Sequence, residues 1–173
     1  GTLTKLEKLE LAGNQLTDVK GLETLAKLEY LDLTANQLTN VKGLEKLTKL
    51  RTLYLIANQL TDVKRLETLT KLEKLELAGN QLTDVKGLET LTKLEHLGLS
   101  GGNQLTEVKG LETLDQLTNL NLDYNQLTDI KGLEKLTELR NLGLANNPDL
   151  TKAQIAELQK ALLNCDIISN PTK

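Results

Sequence analysis

The chain has no phenylalanine, tryptophan or methionine, and three tyrosines are its only large aromatic residues. A single cysteine excludes an internal disulfide, and a single histidine leaves little material for a metal site or for acid–base catalysis. No apolar run approaches the roughly 20 residues that a membrane-spanning helix needs. The N-terminal stretch GTLTKLEKLE lacks the basic and apolar regions of a signal peptide. The sequence therefore predicts neither a membrane segment nor a targeting signal, and it identifies no compartment.

The chain also lacks an excess of positive charge. It carries 21 basic and 24 acidic residues, for a net charge of -3, and the two signs are interspersed along its length. Nucleic-acid binding needs a basic face, so this balance argues against DNA or RNA as a partner. The mixed pattern indicates a solvated surface.

Leucine is what the chain has in abundance, and the leucines repeat. The sequence contains seven similar units, and we call each unit a coil. Coils 1 to 7 begin at Leu6, Leu28, Leu50, Leu72, Leu94, Leu117 and Leu139. The spacing is 22 residues except for one step of 23, and residues 2–25 are identical to residues 68–91. A strict period of this length is typical of solenoids, in which each unit buries its apolar face only by stacking on its neighbours.

Each coil contains two kinds of pattern. Apolar and polar residues alternate around Leu75-Glu76-Leu77, which predicts a short strand. Val85, Leu88 and Leu91 then recur every three residues, which suits a helical or 3-10 segment. Stacking such coils predicts a parallel sheet on one side of the molecule and bulkier helical segments on the other, so the stack curves with the sheet inside.

The pattern LxxLxLxxNxL resembles the leucine-rich-repeat signature, and the 22-residue length is similar to that of the bacterial internalins. The resemblance runs from Leu3 to about Asn147. It implies an α/β solenoid with a concave parallel sheet, short helical or 3-10 segments on the convex side and a C-terminal capping helix. It also implies protein binding on the concave sheet and its rims. Unlike internalins, the chain starts within a repeat, at Gly1-Thr2-Leu3, without a helical N-terminal cap.

We therefore predict two parts. Residues 1–148 form seven repeats, the first of them preceded by a partial repeat, and residues 149–173 form a C-terminal cap. Thr151 followed three residues later by Gln154 fits a capping box. The cap should contain a helix over about 152–163 and a strand over about 165–168. Because the first coil has no predicted cap, end-to-end self-association through it is possible.

Two near-invariant columns and one irregularity are best explained by structure. An asparagine column (Asn80 is one member) suits a turn in which side-chain amides satisfy buried backbone groups. A glycine column should ease the convex turn, and Arg65, which replaces one of these glycines, suggests that a positive φ is not compulsory there. The extra residue lies in Ser100-Gly101-Gly102, where a bulge should absorb it.

The repeats differ mainly at the strand positions predicted to face the concave side. Tyr30, Tyr54 and Ile56 form one patch, which we call the tyrosine patch. His96, Asn119, Asn121 and Asp123 form the second, the polar patch. Lys74, Glu76 and Ala78 of coil 4 are predicted only to separate the two patches. Tyrosine is enriched where proteins meet proteins, so the sequence predicts a protein-binding surface at these positions: Tyr30, Asp32, Tyr54, Ile56, His96, Asn119, Asn121, Asp123 and Tyr124.

Two functional hypotheses follow from the sequence. The first is a non-enzymatic scaffold that binds a protein or peptide on its concave face. The second is an engineered or consensus-type structural module without a native ligand, which the identical 24-residue blocks favour. His96 has no cysteine or second histidine to share a metal, and no catalytic set shares a plausible pocket, so we predict no enzyme activity, metal or cofactor.

Overall fold

A computed structural model describes residues 4–173 of the chain, so the predicted lack of a cap at Gly1-Thr2-Leu3 falls outside the described residues. Eight short strands form one parallel sheet whose spatial order follows the chain, and every neighbouring pair is parallel. The strands are β1 Lys8–Glu10, β2 Tyr30–Asp32, β3 Thr52–Tyr54, β4 Lys74–Glu76, β5 His96–Gly98, β6 Asn119–Asn121, β7 Asn141–Gly143 and β8 Asp166–Ile168. The predicted leucine-rich-repeat solenoid is confirmed.

The core is a continuous stack of leucines. The middle residue of each strand points inward and pairs with its equivalent in the next coil, as in Leu53 with Leu75. Leucines of coils 2 to 6 are almost completely buried, and Leu53, Leu72 and Leu75 have no exposed surface at all. Leucine fills most of this core, with one valine or isoleucine in each of coils 1 to 6, because the repeat brings the same side chain to the same place in every coil.

The convex side carries short 3-10 helices, as the three-residue spacing of the apolar positions predicted. They span Leu22–Thr24, Leu44–Lys46, Lys64–Thr68, Leu111–Thr113 and Leu133–Lys135. In four of these coils a glycine precedes the helix with a left-handed backbone, with φ between 94° and 104°. The expectation that a positive φ is not needed at this column was wrong for the coils that keep glycine.

Arg65 shows how the backbone changes when glycine is absent. The 3-10 helix of coil 3 runs for five residues and takes in Lys64 and Arg65, whereas the other four have three residues. A side chain rarely tolerates a φ near +100°, so the chain enters a helical conformation instead. Arg65 is accommodated by a different local structure and not by the structure that glycine adopts.

The asparagine column forms the predicted ladder. The Asn80 side chain donates to the Leu77 carbonyl of its own coil at 3.0 Å and to the Leu55 carbonyl of coil 3 at 2.9 Å, and it accepts the Leu60 N–H at 3.0 Å. The six later members of the column are 3–7 % exposed. Each asparagine therefore ties its own turn to that of the preceding coil, and an unpaired buried backbone group would cost about 1–3 kcal/mol.

The extra residue of coil 5 is absorbed in the turn before Asn103. Gly101 and Gly102 both have positive φ, 62° and 102°. The Asn103 side chain still reaches the carbonyls of Leu77 and Leu99, each at 3.1 Å. The register beyond the turn is unchanged, with His96 opposite Asn119.

The C-terminal end is covered by α1, Lys152–Ala161, and by β8. Thr151 and Gln154 form the predicted capping box. Leu158 and Leu162 are 4 % and 3 % exposed and close the leucine core. The helix ends two residues before its predicted limit, and the division of the chain at residue 148 stays an interpretation.

Candidate functional site

The concave face of the sheet consists of side chains in rows that run across the coils. The first residue of each strand forms one row and the third residue forms another, because successive side chains of a strand point to opposite faces. The first row contains Lys8, Tyr30, Thr52, Lys74, His96, Asn119, Asn141 and Asp166, and the second contains Glu10, Asp32, Tyr54, Glu76, Gly98, Asn121, Gly143 and Ile168. The side chains on the concave face therefore differ from coil to coil along each row, whereas the leucines behind the sheet stay the same.

The tyrosine patch contains a packed aromatic pair. The rings of Tyr30 and Tyr54 lie with their centroids 5.7 Å apart and are tilted by 52°. The ammonium groups of two lysines sit over these rings, Lys8 at 4.8 Å from the Tyr30 centroid and Lys74 at 5.2 Å from that of Tyr54. Cation–π contacts attract an ammonium group to the face of an aromatic ring. Ile56 lies two residues beyond the end of β3 and is partly buried.

A groove of about 350 Å³ lies beside this patch, and we call it the polar groove. It is lined by Lys74, Glu76, His96, Gly98, Asn119, Asn121, Asp123, Asn141, Gly143 and Ile168, with Leu97, Leu120 and Leu142 as its floor. The whole predicted polar patch lies in it. Two members of the second row are glycines, and side chains of neighbouring residues occupy the space beside them. A Cβ on Gly98 would stand 1.8 Å from a Glu76 carboxylate oxygen, and one on Gly143 would stand 2.8 Å from Asn121 Oδ1.

Glu76 is a partly buried acid in the polar groove. Its carboxylate occupies the space that a side chain at position 98 would fill, and burial there raises its pKa. Lys74 and His96 oppose that rise, but the nearest ion pair, Lys74 Nζ to Glu76 Oε1, is 3.8 Å long. A half-buried carboxylate with a distant counter-charge is well suited to receive a basic group from a ligand.

Two of the other predicted site residues, Asp32 and Asp123, also form hydrogen bonds that stabilise turns. Asp123 Oδ1 accepts the Ala145 N–H at 2.7 Å, and Asp32 Oδ1 accepts the Thr34 N–H at 2.9 Å. Both carboxylates thus shape the turn as well as facing solvent. Tyr124 lies on the turn after β6 with a left-handed φ of 57°, and it is 62 % exposed. It belongs to the rim, outside both the tyrosine patch and the polar groove.

Coil 4 joins the two patches, whereas the sequence suggested that it separates them. Lys74 reaches the Tyr54 ring on one side, and Glu76 enters the polar groove on the other. Sequence analysis also missed that Gly98 and Gly143 leave room for the side chains of Glu76, Asn121 and Asp123. The sequence does mark both glycines as unusual, because they replace charged or polar residues in otherwise regular rows. Their structural effect, however, depends on which side chain lies beside them in the adjacent coil.

Metal ligands and the thiol of Cys165 bear on the chemistry that is open to this protein. Among residues 4–173, no three histidine, cysteine, aspartate or glutamate side chains are grouped as metal ligands. Cys165 is 6 % exposed, and burial raises the pKa of its thiol, which disfavours the nucleophilic thiolate. No described helix is long and apolar enough to cross a bilayer.

Sequence comparison agrees with the geometry. The family model described as "Leucine Rich repeats (2 copies)" matches residues 4–46, 70–113 and 115–160. The chain belongs to the leucine-rich-repeat family. None of the curated protein sequences matches this leucine-rich-repeat chain.

Solved structures place this leucine-rich-repeat protein near the internalins. Internalin inlF from Listeria monocytogenes is 29% identical with a TM-score of 0.89, over 97% of this chain and 49% of that one. Internalin C2 from the same organism is 35% identical with a TM-score of 0.82, over 98% and 73%. The ectodomain of the Arabidopsis thaliana receptor kinase GASSHO1/SCHENGEN3, in complex with CASPARIAN STRIP INTEGRITY FACTOR 2, is 26% identical with a TM-score of 0.77, over 93% and 21%. The chain thus spans about half of inlF and a fifth of the plant ectodomain.

Proposed function

We propose that this protein is a non-enzymatic scaffold whose concave face binds a protein or peptide segment through the tyrosine patch and the polar groove together. One observation carries the proposal: the framework columns are nearly invariant, whereas the concave rows change from aromatic to polar across neighbouring coils. Lys74 lies at the boundary and contacts both regions. Amphipathic surfaces of this kind are typical of protein recognition.

The two regions suit different parts of a ligand. Tyr30 and Tyr54 are partly exposed and held rigid by packing, so they offer contact area at low entropic cost. The polar groove offers the side-chain amides of Asn119 and Asn141 to the backbone of an extended segment. Glu76 adds a carboxylate that favours a basic side chain in the ligand. A segment with an apolar anchor followed by a lysine or arginine fits this order of features.

The family supports the general class of function. Leucine-rich-repeat proteins bind other proteins, and the similar plant ectodomain is in complex with CASPARIAN STRIP INTEGRITY FACTOR 2. The choice of this face and these residues in the present chain rests on its own geometry.

A displayed library of random peptides, selected on the intact chain, tests the proposal. Selected peptides should lose binding to Tyr54→Ala and to Gly98→Ala. The second change places a methyl group where the Glu76 carboxylate lies, at a backbone conformation that alanine accepts. The convex variant Lys131→Ala is the matched control and should bind normally. Peptides that bind all three variants equally well would show that the concave site is wrong.

The identical blocks 2–25 and 68–91 favour a second candidate, a structural module without a native ligand. The same selection separates the two. A module without a ligand should give either no enriched peptide family or peptides that map to scattered surfaces. Enriched peptides that share a basic residue and compete with one another support the first proposal.

A further inference from the structure

The Glu76 carboxylate in the polar groove differs from the glutamates of the convex side. A convex glutamate such as Glu89 accepts a backbone N–H, here that of Gly87 at 2.6 Å. For Glu76, the Lys74 ammonium lies 3.8 Å from Oε1, which is too far for a hydrogen bond. That ammonium sits over the Tyr54 ring instead. Glu76 is half-buried, and these neighbours leave its capacity to accept hydrogen bonds unused.

A second set of acceptors lies across the groove. The Glu76 carboxylate stands over Gly98 of coil 5, whereas Asn121 Oδ1 and Asp123 Oδ1 each stand 2.8 Å from the position of a Cβ on Gly143 of coil 7. Neighbouring strands are about 4.8 Å apart, so about 10 Å separates the two sets. The gap between them lies over coil 6. Each side of this gap carries a carboxylate.

The charges of the groove favour a positively charged occupant of this gap. Among the described residues that line the groove, Glu76 and Asp123 are acidic, and Lys74 is the one lysine or arginine. Lys74 lies at the end nearest the tyrosine patch, where it contacts the Tyr54 ring. It therefore leaves the gap over coil 6 without a cation from the chain. A cation in the gap would interact favourably with both carboxylates.

The width of the gap favours a guanidinium over an ammonium. A guanidinium presents five N–H donors in a planar fork, so it forms paired hydrogen bonds with a carboxylate and can bond to acceptors on two sides at once. An ammonium is compact and strongly hydrated, and its donors radiate from one atom. In a gap about 10 Å wide, an ammonium that pairs with Glu76 leaves Asp123 unpaired. Arginine is thus the basic side chain that uses both sides.

The distance from the tyrosine patch sets the spacing of residues in the ligand. Tyr54 belongs to coil 3 and the gap lies over coil 6, so three strand spacings, about 14 Å, separate them. Four residues of extended chain span about 13 Å, and side chains four positions apart point to the same face. Lys74 and Glu76 of coil 4 rise between the two points. The residue midway between the anchor and the arginine must therefore be small.

We propose that the concave face recognises an extended protein segment in which an apolar residue lies four positions from an arginine with a small residue midway, the guanidinium occupying the gap between Glu76 and Asp123. This inference rests on the proposed function and narrows its ligand class. The apolar residue packs on the tyrosine patch, and the arginine decides which segments bind.

Peptides selected from a random displayed library on the intact chain, then synthesised and titrated by calorimetry, test this inference. We expect an enriched family with arginine four positions from an aromatic or aliphatic residue. Replacing this arginine by lysine should weaken binding about tenfold. Glu76→Gln should weaken binding of the arginine peptide by a similar factor and remove most of its preference over the lysine peptide. Glu67→Gln, which removes an exposed carboxylate of the convex side, is the control and should change neither affinity.

The outcomes separate this inference from the proposed function. Peptides that lose binding to Tyr54→Ala but share no arginine at this spacing would overturn the inference alone. An arginine peptide whose affinity Glu76→Gln leaves unchanged would do the same. Peptides that bind equally well to the unmodified protein, Tyr54→Ala and Gly98→Ala, or the lack of any enriched family, would overturn the proposed function and the inference with it.

Discussion

Gly87 of coil 4 lies against the backbone of Lys64 in coil 3, so closely that a Cβ on the glycine would stand 2.5 Å from the Lys64 Cα. Both Gly87 and Gly110 have left-handed backbones, but a Cβ on Gly110 would meet only a side-chain carbon of Glu89, at 3.9 Å. Gly87→Ala should therefore lower the free energy of unfolding by about 2 kcal/mol more than Gly110→Ala, because it adds a steric clash to the same φ cost. Urea denaturation followed by circular dichroism measures both.

Arg65 supplies the control for this prediction. It brings Lys64 into the longer 3-10 helix, so Arg65→Gly should restore the conformation of the other coils and move Lys64 away. In that background Gly87→Ala should cost no more than Gly110→Ala. If the gap between the two alanine variants persists, the extended helix is not the source of the clash.

The duplicated block allows one substitution to be compared in two settings. Asn80→Ala leaves the Leu60 N–H without its acceptor in a buried turn and removes one of the two amide donors to the Leu55 carbonyl, so we expect a loss of about 2 kcal/mol in the free energy of unfolding. Asn14→Ala removes one exposed hydrogen bond and should cost about 0.5 kcal/mol. Thermal and urea denaturation of the two variants measure the difference.

Gln81→Ala is the matched control for Asn80→Ala. Gln81 is adjacent to Asn80 and exposed, so its loss should leave stability nearly unchanged. Equal destabilisation by the substitutions at positions 80 and 81 would contradict the role assigned to the asparagine ladder.

Glu76 should make the protein less stable as its carboxylate ionises. Burial raises its pKa in the folded state, so the folded chain holds this proton more tightly than the unfolded chain does. The resulting stabilisation is present below the ordinary glutamate pKa and is lost as pH rises through the folded value. Glu76→Gln should thus be more stable than the unmodified protein at pH 7, and this advantage should shrink towards pH 4. Urea titrations at several pH values measure the difference.

Other carboxylates make the opposite contribution to the pH dependence of stability. The measured quantity must therefore be the difference in unfolding free energy between Glu76→Gln and the unmodified protein. Hydrogen bonds from backbone N–H groups lower the pKa values of Asp84 and Glu112. Their stabilisation is present above the ordinary acid pKa values and is lost as pH falls. An advantage of Glu76→Gln that did not change between pH 4 and pH 7 would contradict the burial of this carboxylate.

The Tyr30–Tyr54 contact should be measurable as a coupling energy. The rings are 5.7 Å apart and tilted, a geometry that typically contributes about 0.5–1.5 kcal/mol beyond the buried area. A double-mutant cycle with Tyr30→Leu and Tyr54→Leu, followed by urea denaturation, should give a coupling within that range. A coupling near zero would show that the tyrosines pack independently.

Those parts of the structure that every coil shares were predictable from the sequence. The positions equivalent to Leu75 and Asn80 recur in all seven coils. An error in interpreting one coil is therefore corrected by the other six. The positive φ of the glycine column was not predicted, because Arg65, the exception at one position of the column, was taken to show that the column does not require a positive φ. In the structure this exception adopts a different backbone conformation.

The polar groove was harder to predict because it depends on contacts between coils. Gly98 matters only because Glu76 stands next to it in the adjacent strand, and the rows that place them together become visible once the register is known. The sequence does identify Tyr30, Tyr54 and His96 as unusual members of their rows. It cannot show that Lys74, in a coil that duplicates the first, reaches the Tyr54 ring.

The turn at Ser100-Gly101-Gly102 carries one more residue than the other turns, and β6 nevertheless keeps its place beside β5. Chain length in this turn is thus uncoupled from the alignment of the sheet. The Gly101 N–H donates to the carbonyl of Asp123, a residue that lines the polar groove. A longer segment grafted between Ser100 and Asn103 would overhang the groove while the leucine stack stayed intact. Ligand preference in this protein can accordingly evolve, or be redesigned, through a loop and without rebuilding any strand.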